Sequence, residues 1–249
     1  EEAEEGESTE VATQEEADGE GRGAVFTRWG SRTCPEGSTK LFGGFMVSSH
    51  HGHNGGGANT LCFHDQPEYP WAYDDGNQDG NLLYGMEYEN TGAIDKNHNK
   101  DAACAMCMLN TTATAYTQWG RTNCSNGHAT LYSGVVMSNK YTEKKGESVC
   151  VDMERAMHAT SVDDDNNGGR LYTTEMEGGS SDESQYPNNR EVACATCSPP
   201  AEGSVFPRWG SRECPSGTTK LYEGFMASSH YGHNGGGANT LCMHNDPQY

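Results

Sequence analysis

The chain has 249 residues, a formal net charge of -20 at pH 7 and a hydrophobic content of only 33%. A surface this acidic disfavours nucleic acid and anionic lipid as partners and favours cations or basic surfaces. No apolar run reaches the length of a membrane-spanning helix, so no membrane insertion is expected.

So polar a composition would suit a disordered chain, but ten cysteines argue against that. Cysteine-rich domains with thin apolar cores are held by disulfides, which form in oxidising compartments, so the expected location is extracellular and secreted. The chain opens EEAEEGESTE with no signal peptide, as a mature or excised fragment would. Residues 1–23 read as an acidic, self-repelling linker or as a cation-binding tail.

Beyond the tail the sequence repeats. Trp29, Trp119 and Trp209 stand 90 residues apart, each followed by glycine. Cys34, Cys124 and Cys214 keep the same interval, as do Gly44, Gly134 and Gly224. CAMC at 104–107 and CATC at 194–197 close two of the units. The expected organisation is half A over 24–110, half B over 111–200, and the beginning of a second A-type half over 201–249. The third piece resembles A far more than B, so the underlying unit is an A–B pair of 180 residues.

In chain order, TKLFGGFMVS, NLLYGMEYE, TLYSGVVMSN and GRLYTTEME alternate or are wholly apolar over a few residues, bounded by Gly, Pro, Asn and Ser. No amphipathic helix is evident. The expected fold is all-β: a duplicated, disulfide-bonded domain of short antiparallel strands, two homologous halves, tandemly repeated.

Each complete half holds four cysteines. A Cys-x-x-Cys motif suits zinc, a redox dithiol or a structural bridge. The other two cysteines of each half are isolated, and no basic or histidine neighbours flank CAMC or CATC, so structural disulfides are expected. The combination RWGSRTCPEGSTKLF, GGGANTLC and CAxC resembles the C-terminal non-collagenous domain of short-chain, sponge-type collagens, and more distantly that of basement-membrane collagen. No Gly-X-Y run is present. The resemblance implies an all-β fold of two homologous halves and assembly into larger structures. It also implies the pairs Cys34–Cys107, Cys62–Cys104, Cys124–Cys197 and Cys150–Cys194. The third piece lacks a CAxC segment, so Cys214 and Cys242 are without their expected partners; either the chain continues past Tyr249 or another chain supplies the strand.

HHGHNGGGANTLC at 50–62 returns as HYGHNGGGANTLC at 230–242. It reads as a glycine-rich loop where backbones approach closely, or as a metal or ligand site using His50, His53 and His64. No GK[ST] follows the glycines, so it is not a phosphate loop. DGNQDGN at 75–81 and DDDNNGG at 163–169 match the opening of a calcium loop. The calcium ligands expected are Asp75, Asn77, Asp79 and Glu87, with Asp163, Asp165, Asn167 and Glu175 as the second set; the alternative is a pair of hairpin turns. Asn110 and Asn123 head sequons of a secreted glycoprotein.

No nucleophile elbow, P-loop or HExxH motif occurs, and no enzyme is expected. The function expected is that of an extracellular structural or matrix protein. It would self-associate, head to tail and into fibres, and meet other matrix components. The alternative is a secreted module that recognises glycan or calcium.

Overall fold

The structure, a computed structural model, describes residues 23–69, 80–89, 97–161, 168–178 and 182–249. The acidic tract lies outside these residues except for Gly23. The regular secondary structure among the described residues is all β-strand apart from a single 3-10 turn at Ser125–Gly127. No helix among the described residues is long and apolar enough to cross a membrane.

Residues 24–110 form β1 (Val25–Trp29), β2 (Ser38–Ser48), β3 (Leu61–His64), β4 (Tyr84–Tyr88) and β5 (Ala103–Leu109). Residues 111–200 form β6 (Tyr116–Trp119), β7 (Ala129–Ser138), β8 (Lys145–Gly146), β9 (Val149–Asp152), β10 (Gly169–Thr173), β11 (Glu175–Met176), β12 (Arg190–Glu191) and β13 (Ala193–Ser198). Residues 201–249 contribute only β14 (Gly224–Ala227), β15 (Gly236–Gly237) and β16 (Leu241–His244).

Within each segment every ladder is antiparallel. β5 lies between β1 and β2, with Trp29 opposite Cys104 and Gly44 opposite Cys104 on the other side. β13 lies between β6 and β7 in the same register, with Trp119 and Gly134 flanking Cys194. The third strand then crosses the second at the repeated glycine: Gly44 pairs with His64, Gly134 with Asp152 and Gly224 with His244. A Cβ at these glycines would fall on the carbonyl of Phe63, Val151 or Met243, which is why the position has none.

Between segments the ladders run parallel: β1 with β9, β4 with β10, β6 with β16, and β8 with β15. The expectation of short antiparallel strands therefore needs amending twice. β2 and β7 run to 11 and 10 residues, and the segments are joined by parallel pairing. Parallel neighbours need no hairpin between them, so no turn signal in the sequence marks them. Because β10 pairs with β7 as well as β4, the path β4-β2-β5-β1-β9-β7-β10 closes on itself. The circuit draws strands from both 24–110 and 111–200.

The cores are shared in the same way. One cluster joins Met46, Met86, Tyr88 and Cys104 to Val135, Met137, Val151 and Leu171. A second joins Tyr132, Val136, Cys150, Val192 and Cys194 to Leu241 and Met243 of the third segment.

Disulfides close Cys34–Cys107, Cys62–Cys104, Cys124–Cys197 and Cys150–Cys194. These are the pairs that the resemblance implies. In an extended strand residues three apart point to opposite faces. The two sulfurs of each Cys-x-x-Cys therefore leave β5 and β13 on opposite sides, one reaching the third strand and the other the Cys-Pro or Cys-Ser turn. That geometry rules out a vicinal redox pair, and each sulfur is already bonded, so neither motif holds zinc. Loops of this length, closed in the unfolded chain, give each bridge roughly 3–5 kcal/mol in the entropy model. Four disulfides fit a secreted or extracellular protein.

The repeated glycine gives a direct test. Gly134→Ala should lower unfolding free energy by about 1–3 kcal/mol, because the clashing atoms are backbone. Gly55→Ala meets no atom within 4 Å and should stay within about 0.5 kcal/mol. Denaturant unfolding with the disulfides intact reads both.

Candidate assembly interface

The Trp-Gly dipeptide ends the first strand of each of the first two segments and forms the junction with the segment that follows. Gly30 has φ +75°, and a Cβ there would lie 2.7 Å from Val151 Cγ1. Gly120 has φ +89°, and a Cβ there would lie 2.8 Å from Met243 Sδ. Both constraints select glycine: left-handed backbone and no space. Each turn places its tryptophan beside the residue that follows the next segment's lone cysteine. Trp29 thus pairs with Val151, after Cys150, and Trp119 with Met243, after Cys242.

The same junction is stitched a second time. The Gly30 carbonyl accepts from Ala156 N at 2.7 Å, and the Gly120 carbonyl accepts from Gln248 N at 2.6 Å. Ala156 and Gln248 each lie six residues beyond their lone cysteine. Side chains then differ. At the first junction Arg28 Nε donates to Asp152 Oδ2 at 2.8 Å and Tyr132 Oη donates to the Thr27 carbonyl at 3.3 Å. At the second, Arg121 bonds Asp246, Thr122 Oγ1 donates to Gln248 Oε1 at 2.8 Å, and Ser125 Oγ lies 3.1 Å from His244 Nε2.

The third Trp-Gly is built but unoccupied by this criterion. Gly210 keeps φ +75°, yet a Cβ there would meet nothing within 4 Å. Trp209 is 44% exposed and Phe206 54% exposed. At the other end, β3 is the counterpart of β9 and β16. Among the described residues it pairs only with β2, and Leu61 is 44% exposed.

The histidine and glycine loop joins segments. In the third segment Gly236 and Gly237 pair in parallel with Lys145 and Gly146. In the first, Lys144 Nζ donates to the carbonyls of Gly55 and Gly57 at 3.1 and 3.0 Å. The loop at 140–148 is thereby held between two copies of the same sequence. His50 stacks on His51 and His53, with centroids 4.3 and 4.6 Å apart, and Tyr84 stands edge-on at 5.0 Å. His50 Nδ1 accepts from Gly52 N at 3.0 Å, and His64 Nδ1 accepts from Gln66 N at 2.9 Å. Stacked rings whose lone pairs cap their own turns do not converge on an ion. Among the described residues, no group of three His, Cys, Asp or Glu side chains is arranged to hold a metal.

Asp75, Asn77, Asp79, Asp163, Asp165 and Asn167 lie outside the described residues. Their partner glutamates occupy unlike settings. Glu87 is buried in β4 opposite Arg170, whereas Glu175 is exposed on β11. Asn110 and Asn123 are both exposed, the first at the end of β5 and the second beside bonded Cys124.

Sequence reasoning located the Trp-Gly dipeptides but not their partners. The two partner residues, Val151 and Met243, differ in type, because the pairing itself runs through backbone. Only their fixed offset from the lone cysteine could have revealed them. The chain matches no protein-family model.

Burial of His244 in the second junction lowers its pKa below the ordinary histidine value; Arg121 adds to this, while Asp246 and Glu223 oppose it. A histidine held neutral in the fold binds fewer protons there than in the unfolded chain. Its contribution is present above pH 6.5 and is lost as the pH falls through the lowered value. Docking of residues 224–249 on β6 should loosen between pH 7 and pH 5, read as faster amide exchange at Met243. His244→Gln should flatten that pH dependence.

Proposed function

We propose that the protein is an extracellular structural component whose work is assembly rather than catalysis, with two homologous halves of the non-collagenous type that its motifs resemble. One observation carries the reading: the same interlock is made at two consecutive junctions, and each of its two sides also occurs once without a partner among the described residues. Trp209 and Gly210 offer the turn, and β3 offers the receiving strand. A strand edge left open is a template for pairing with another chain. By the repeated offset, Trp209 of one copy would face Phe63 of the next, and the Gly210 carbonyl would accept from Glu68 N, six residues after Cys62. Such a contact is head-to-tail and builds a ring or a filament. The common registers of β5 and β13 support the duplication, and the four disulfides support an oxidising location.

Sedimentation velocity tests the reading. The wild-type chain should associate with rising concentration. Leu61→Lys places a charge on the receiving edge, and Trp209→Ser removes the large apolar group at the turn. Each should weaken association at least about tenfold, or about 1.4 kcal/mol. Equal association of wild type and both variants, with all four disulfides in place, would sink the proposal.

A further inference from the structure

A groove of about 1070 Å³ is lined by 201–214 and 217–226 of the third segment together with Tyr116, Thr117 and Trp119 of β6. Phe206, Trp209, Tyr222 and Phe225 line it together with Cys214 and Cys242. Both cysteines are free. In the first two segments the corresponding space is filled by β5 and by β13. Each of those strands is paired on both sides, carries Cys-x-x-Cys, and bonds the two cysteines that correspond to Cys214 and Cys242. In the third segment 205–209 and 218–223 form no strand, and β14 pairs only with β16 among the described residues.

The geometry points to this groove as an acceptor for one extended polypeptide segment from outside residues 1–249 that carries a reduced Cys-x-x-Cys with small neighbours, bonded through Cys214 and Cys242. The occupant must be extended, because the walls that flank it are the sequence equivalents of β1 and β2. Its spacing must be Cys-x-x-Cys, because the two receiving sulfurs approach β5 and β13 from opposite faces, and residues three apart in a strand point that way. Its register is fixed. The first cysteine of the motif faces Gly44 in one segment and Gly134 in the other; the second faces Lys40 and Thr130. In the third segment the same positions are Gly224 and Lys220. The first cysteine of the occupant therefore bonds Cys242 and the second bonds Cys214, while its other edge pairs along 205–209. Small residues are required because β5 and β13 are buried at their alanines, with Ala103, Ala105 and Ala195 at most 0% exposed. A second copy of this chain does not supply the strand, since CAMC and CATC are both bonded and enclosed.

Each new bond joins one chain thiol to one segment thiol. Two electrons and two protons leave the pair and reduce a small-molecule disulfide to two thiols, so two bonds consume two such disulfides and release four thiols. The oxidant is a low-molecular-weight disulfide of the glutathione class. This inference shares the open end with the assembly reading but does not rest on association, because the adduct is read on the single chain.

The test uses the 249-residue chain, a reduced synthetic peptide with the sequence of residues 101–110, and a mixture of reduced and oxidised glutathione. The expected product is a one-to-one adduct lighter by four hydrogens than its components. Peptide mapping should find the first peptide cysteine on Cys242 and the second on Cys214. Amide exchange across 205–209 and 218–226 should slow by about tenfold or more. A peptide with one extra residue between its cysteines puts both on one face and should form no doubly bonded adduct. The inference is overturned by a Cys214–Cys242 bond, by glutathione alone on both cysteines, by chain-to-chain disulfide dimers, or by equal capture of the lengthened peptide.

Discussion

The first two segments of this chain each depend on a strand that belongs to the segment that follows. The Trp-Gly turn at the end of the first strand leaves an edge that a segment cannot cover by itself. The third strand of the next segment covers it, at Val151 for Trp29 and at Met243 for Trp119. Glycine is needed at the turn both for its positive φ and because the incoming side chain occupies the place of a Cβ. Apolar residues are scarce, so neither of the two larger cores is built from one segment alone, and each gathers residues from two neighbours. Sharing a core in this way lets a chain with little apolar content bury enough to fold.

The disulfides and the interlock divide the work between them. In the first two segments the bridges fix the central Cys-x-x-Cys strand to the third strand on one face and to the turn after the first strand on the other. This holds the third strand at the position from which it reaches the preceding segment. The glycines at 44, 134 and 224 let the third strand cross closely enough for that. Bridge, glycine crossing and Trp-Gly turn are thus three parts of one device. The ion pair of Arg28 with Asp152, only 8% exposed at the carboxylate side chain, tightens the first junction where chain polarity would otherwise leave a buried charge unmatched.

The third segment shows the device with parts missing. Its third strand docks on β6 as β9 docks on β1. Its first strand equivalent is irregular, its tryptophan is exposed and its cysteines are free. The difference is that, among the described residues, no central strand lies between 205–209 and 218–225. A strand that pairs on both sides organises its neighbours, and without it two otherwise strand-forming sequences stay open.

The sequence by itself determined the all-β class, the 90-residue spacing and the four-cysteine pattern of the first two segments, because these follow from local alternation, from counting and from cysteine placement. It marked His50, His53 and His64 as polar and close in number, but could not say that His50 stacks on His53 or that His50 and His64 each cap a turn. It placed Glu87 and Glu175 at equal offsets, yet one is buried and the other exposed. Tertiary structure alone decided that the segments join through parallel ladders, that the path from β4 to β10 closes through β7, and that the glycine loops grip residues 140–148. The parallel ladders among them run through backbone atoms of residues far apart in the chain. Backbone pairing fixes position and register without requiring any particular side chain, so it leaves no residue pattern for a sequence to display.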